Sequence, residues 1–151
     1  MTARTTVAFA DVAEGDELPP LEVPLTRSLI VATAIASRDY QDVHHDPDLA
    51  VDRGSPDIFM NILSTNGFVG RFVTDWAGPD AVLKKVGIRL GAPNYPGDTM
   101  TMTGTVSAID DLMGPMPDGG GMISCRGVCN CTGSRTSPVP RVWASAAARS
   151  A

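Results

Sequence analysis

Asp39 and His44 are the two side chains of this sequence whose types and spacing suit proton transfer. A carboxylate and an imidazole that meet over one water form a general acid–base pair, because the ordinary histidine pKa lies near neutrality. On a helix, a separation of five residues turns two side chains about 140° apart, so this pair can converge only in a turn. The surrounding SRDYQDVHH has no helical pattern and reads as a loop. A plainer reading has Asp39 capping a turn and His44 bonded to backbone. Spacing leaves both open.

Other chemistries find less support. His44-His45-Asp46 has no third ligand at a metal-binding spacing, and adjacent histidines in a loop can point apart. Cys125-x3-Cys129-x-Cys131 lacks a Cys-x2-Cys pair and a fourth cysteine, whereas a structural zinc site wants four ligands. No metal is expected, and the cysteines read as ordinary buried thiols. GPMPDGGG precedes no helix pattern and no Lys-Ser/Thr, so it reads as a hairpin or linker, not a phosphate cradle. There is no Gly-x-Ser-x-Gly nucleophile elbow.

The elements that must position the pair can be read around it. Thr26 caps a short helix over RSLIVATAIAS that ends near Ser37, with Leu29, Ile30, Thr33 and Ile35 on its apolar side. Residues 11–25 form an extended segment, since their prolines exclude a helix. Asp46-Pro47 starts a second short helix that stops at Gly54. Steps of three and four make 58–76 the most hydrophobic helix, with a cap signal at Ser55-Pro56 and Gly67 and Gly70 inside it. Residues 86–90 and 99–106 read as strands, the second alternating cleanly, and further strands are expected near 122–128 and 136–143. The final SAAARSA reads as a tail. A helix-rich first half and a strand-rich second half predict an α+β domain with an antiparallel sheet packed on the long helix.

Composition bounds what such a domain does. The 151 residues are 43% hydrophobic and 19% charged, with 12 basic against 17 acidic side chains and a net charge of −5. That balance disfavours nucleic acid. No apolar run approaches the roughly 20 residues that span a bilayer, and the N-terminus lacks a signal-peptide pattern. Three cysteines cannot all pair, which argues against a secreted disulfide scaffold. A cytoplasmic single domain is expected.

Taken together, the motifs resemble a known family. The stretch EGDELPPLEVPLTRSLIVATAIASRDYQDVHHDPDLA resembles the opening of MaoC-like, R-specific enoyl-CoA hydratases, with their GD-x-LPP, Thr-Arg helix start and Asp-x-Asn-Pro-x-His-x-Asp loop. Arg89 to Asp98 (RLGAPNYPGD) and the following TMTMTGTV are similar to the family's R-F-x-x-P-V-x-PGD-T strand pair. The likeness runs in order over about residues 14–109. RDYQDVHHD, GSPDIFMNIL, FVTDWAGP and KVGIRLG also resemble small subunits of heteromeric hydratases of actinobacterial steroid side-chain degradation.

The resemblance implies a hot-dog fold, an antiparallel sheet wrapped around the 58–76 helix. It implies that Asp39 and His44 are catalytic and that water is added to a 2-enoyl-CoA thioester, with no metal or redox cofactor. Gln41 and Asp42 replace the family's Asn-Pro, and Phe59-Met60-Asn61-Ile62 replaces Ala-His-Gly-Met. Asn61 thus falls on a glycine whose N–H helps hold the thioester oxygen, a donor that any residue but proline retains. It also moves the helix start nearer residue 59. Asn61, Met60 and Gln41 are the implied oxyanion and substrate-binding residues. The implied partner is a larger MaoC-like subunit in a heteromer, or a second copy in a homodimer. Alternatives are a non-catalytic hot-dog subunit that completes a partner's acyl-CoA site, and an acyl-CoA thioesterase or binding domain. Residues 1–113 match the core, whereas 114–151 add a glycine-rich loop and an atypical end. Synonymous codons permit a family-like alternating ending in another frame, so a frame shift between about Ser124 and Val128 is expected.

Overall fold

The computed structural model describes residues 6–110, 121–132 and 141–148. In chain order they form β1 (Glu17–Pro24), α1 (Arg27–Ala36), α2 (Pro47–Asp52), α3 (Ile62–Ala77), β2 (Val82–Arg89), β3 (Thr99–Asp110), β4 (Gly121–Thr132) and β5 (Arg141–Ala148), with 3-10 turns at Phe9–Asp11 and Asp42–His44. The strands make one antiparallel sheet in the order β1-β3-β4-β5-β2. This is the α+β hot-dog arrangement. Pro19 and Pro20 cannot donate to the ladder, and the β1 register shifts between Leu18 and Leu21. An edge strand tolerates that loss.

The sheet presents one apolar face to α3. Along β3, Met100, Met102 and Val106 are buried; on β4, Cys129 stands opposite Met102 and Cys125 opposite Val106, and Ile123, opposite Ile109, is buried with them. From α3, Val69, Phe72 and Val73 enter the same core at helical spacing. Gly104 and Gly127 face each other across β3 and β4. A Cβ on Gly104 would stand 3.1 Å from the Phe72 ring, so the bare backbone there makes room for it. The two cysteines are free thiols within this core, and burial pushes both up to about 11. Cys131 as a side chain, and residues 114–120 of the glycine-rich segment, lie outside the described residues.

Several boundaries differ from those the periodicity predicts. The long helix begins at Ile62, not at 55–59, because Ile58 and Met60 are buried on an extended segment. The Phe59 N–H donates to the Val43 carbonyl (3.2 Å) and the Met60 N–H to the Asn94 carbonyl (3.0 Å), which commits those donors away from a helix. Of the expected apolar side of α1, Ile30 is buried and Leu29 packs against the core, whereas Ile35 is 55% exposed and Ala34 takes its place, an i, i+4 stripe with Ile30. Gly70 approaches Leu83, but nothing lies close to Gly67. Ser145–Ala148, read as tail, belong to β5, since backbone pairing with β2 and β4 does not require large side chains. Among the described residues no helix is long and apolar enough to cross a membrane.

Candidate active site

Two successive turns carry Asp39 and His44 to the same place. Thr26 caps α1 by accepting the Leu29 N–H (3.0 Å), and the helix ends in a Schellman motif. There the Arg38 N–H donates to the Ile35 carbonyl and the Asp39 N–H to the Ala34 carbonyl, both at 3.0 Å. Arg38 takes the left-handed conformation this requires, with φ 57°. The reversal throws Asp39 back over the end of α1. Residues 42–44 then wind into a 3-10 turn whose His44 N–H donates to the Gln41 carbonyl (3.1 Å). Asp46 follows at once as the side-chain cap of α2, accepting from Asp48 and Leu49 N–H groups.

His44 is buried and its ring is fixed on both sides. Nδ1 lies 2.7 Å from the Phe59 carbonyl oxygen, which can only accept, so Nδ1 carries the hydrogen. The Phe59 ring stands edge-on to the imidazole at 5.0 Å. In the neutral ring, Nε2 therefore offers a bare lone pair. It faces Asp39 Oδ2 at 3.4 Å, and Asp39 retains 20% side-chain exposure. Two acceptors thus converge on one spot, the geometry that takes both hydrogens of a water. His45, the neighbouring imidazole, is exposed and turned to solvent.

Asn61 completes the cluster. Its Nδ2 donates to Asp39 Oδ2 (2.9 Å) and to Ser37 Oγ (2.8 Å). Its Oδ1 caps α3 by accepting the Ser64 N–H (2.9 Å) and the Ser64 hydroxyl. The Asn61 hydrogen bond holds the Asp39 carboxyl below its ordinary 3.8, against burial, which pushes it up; the Gln41 N–H and the His44 charge assist.

His44 and Asn61 line a cleft of about 460 Å³ with Phe59, Thr65 and the 90–94 segment, and Asp39 stands directly behind them, within 2.9 Å of Asn61 Nδ2 and 3.4 Å of His44 Nε2. The first N–H groups of a helix have no intrahelical acceptor and carry partial positive charge. Those of Asn61, Ile62 and Leu63 have no acceptor among the described residues. The cleft therefore joins a water-polarising pair to a site suited to a developing oxyanion.

Of the residues singled out from the sequence, Asp39, His44 and Asn61 come together. Met60 is buried in the cleft wall, but its N–H is already spent on Asn94. Gln41 is exposed and acts through its backbone, its N–H 3.4 Å from Asp39 Oδ1. Sequence reasoning missed Ser37, Ser64 and the Phe59 carbonyl. The N-x-x-S run Asn61-Ile62-Leu63-Ser64, an asparagine cap with a hydroxyl at the third helical position, is the signal that flags Ser64, whereas a main-chain oxygen leaves no trace in residue identity.

No family model matches the chain. It is 55% identical over 97 residues to the 3-oxo-4,17-pregnadiene-20-carboxyl-CoA hydratase beta subunit of Mycobacterium tuberculosis, covering 64% of this chain and 75% of that protein. Among solved structures, a chain of the ChsH1-ChsH2 complex from Mycobacterium tuberculosis matches with TM-score 0.76 and 42% identity, covering 92% of this chain and 98% of that one. The unliganded R-hydratase PhaJ1 from Pseudomonas aeruginosa matches with TM-score 0.80 over 99% of this chain and 89% of its own, at 13% identity, a likeness of fold.

Proposed function

This chain belongs to the family of MaoC-like enoyl-CoA hydratases, and on that premise we propose that it adds water to a 2-enoyl-CoA thioester as the small subunit of a heteromer, with a steroid side-chain acyl group as substrate. The observation that carries the reading is the convergence of His44 Nε2 and Asp39 Oδ2 beside the start of α3. The hydration involves no net change of oxidation state, so it calls on no redox cofactor, and the carboxylate, imidazole and helix-start N–H groups supply the proton transfer and charge stabilisation it needs.

A water donating one hydrogen to each acceptor presents its oxygen lone pair to Cβ of the enoyl group. As the C–O bond forms, the pair takes one proton, the alkene electrons shift to the thioester oxygen, and the pair returns one proton to Cα. Positioned acid–base groups of this kind contribute typically ~10²–10⁴-fold. The Asn61 N–H and its neighbours on the first turn of α3 stabilise the enolate-like oxygen as charge builds. The partner subunit supplies the remainder of the acyl-CoA site.

Co-expression with a candidate larger subunit, followed by an assay for loss of the conjugated thioester of a steroid enoyl-CoA, tests this. Asp39→Asn and His44→Ala are each expected to abolish hydration while the complex still assembles. Near-normal turnover in either removes the assigned roles, and release of free CoA in place of hydration points to a thioesterase.

A further inference from the structure

Resting on the hydratase reading, we propose that the Asn61 side chain is a positioning residue, a clamp that holds the Asp39 carboxylate at a fixed distance from the N–H groups opening α3. Helix capping alone does not explain asparagine here, because Ser, Thr or Asp would accept the Ser64 N–H as well. Asparagine adds two donors on the opposite side of the same amide. Both are used, on Asp39 Oδ2 and Ser37 Oγ, and the carbonyl end takes both Ser64 donors. All four bonding positions of the amide are thus filled. The reverse orientation would set its oxygen against a carboxylate and its NH₂ against an N–H, so the network admits one.

Asn61 is only 2% exposed, so water does not compete for these bonds. Ser37 is itself anchored, its hydroxyl donating to the Thr33 (2.8 Å) and Ala34 (3.0 Å) carbonyls at the end of α1. One amide therefore ties the exit of α1, the carboxylate and the start of α3 into a single unit. The water held by Asp39 and the oxygen held at the helix start must lie at opposite ends of one enoyl thioester. Their separation is set through Asn61, and misplacing reacting groups by about 1 Å can cost on the order of 10²-fold.

The test uses the full chain in its active complex with two cap-preserving variants, N61D and N61S. N61D puts a second carboxylate against Asp39, and N61S removes the donor by shortening the side chain. In N61D the acid limb of the kcat/KM profile should move up by about one pH unit or more. In both variants kcat should fall roughly 10- to 100-fold with little change in KM. A ¹³C titration of the Asp39 carboxyl, read without turnover, should rise in both. If the acid limb and this titration stay put in both variants while Asp39→Asn abolishes hydration, the clamp is refuted and the hydratase reading stands. If Asp39→Asn turns over normally, the hydratase reading fails, and the proposal with it.

Discussion

At the scale of single residues, the Phe59 carbonyl decides the tautomer of His44 by occupying Nδ1, and so leaves Nε2 for chemistry. The carboxylate opposite is prepared by hydrogen bonding. Since Asp39 titrates below its ordinary 3.8 in the folded chain, it contributes stability that is fully present above the unfolded value and is lost as pH falls through the lower folded one. Urea unfolding of the wild type and Asp39→Asn should therefore show a deficit in the variant at pH 7 that narrows as the pH falls below about 4. A deficit constant from pH 7 to pH 2.5 contradicts the linkage.

At the scale of elements, the site depends on how α1 stops. Arg38 occupies the left-handed position of a Schellman ending that usually falls to glycine. A side chain there costs roughly 1–2 kcal/mol, part of which glycine returns as unfolded-state entropy. Arg38→Gly should raise stability by about 0.5–1 kcal/mol and leave hydration intact, as a shift of the denaturation midpoint would show. This ending illustrates what the sequence conceals. The Thr26 and Asp46 caps were legible because their side chains make the bonds. The turn at Arg38 was not, because no glycine marked it. The start of α3 is hidden for a related reason: Ile58 and Met60 are apolar at a spacing compatible with either helix or strand, and only tertiary backbone bonds to Val43 and Asn94 choose between them. Asp39 and His44 stood out by chemistry, yet their meeting rests on two turns that spacing alone left open.

At the scale of the molecule, β5 pairs with both β4 and β2, whereas β2 has no other strand neighbour among the described residues. A chain shortened to end at Thr132 should lose its cooperative unfolding transition by circular dichroism; a retained sharp transition would show that β2 holds without β5. The rim of the cleft also bears on assembly. Ile62 and Leu90 line it and are 49% and 44% exposed, and Tyr40, beside Asp39, is 69% exposed. A heteromer that buries these side chains gains apolar contact and dries the cleft in one step.

The internal place of β5 also governs how the protein is made. A ribosome delivers β2, β3 and β4 before the strand that must slot between the first and last of them, so the nascent sheet stays open through most of synthesis. Open strand borders invite pairing with other chains. The time taken to translate from residue 132 to the end of β5 is therefore the interval in which the facing borders of β2 and β4 stand unpaired.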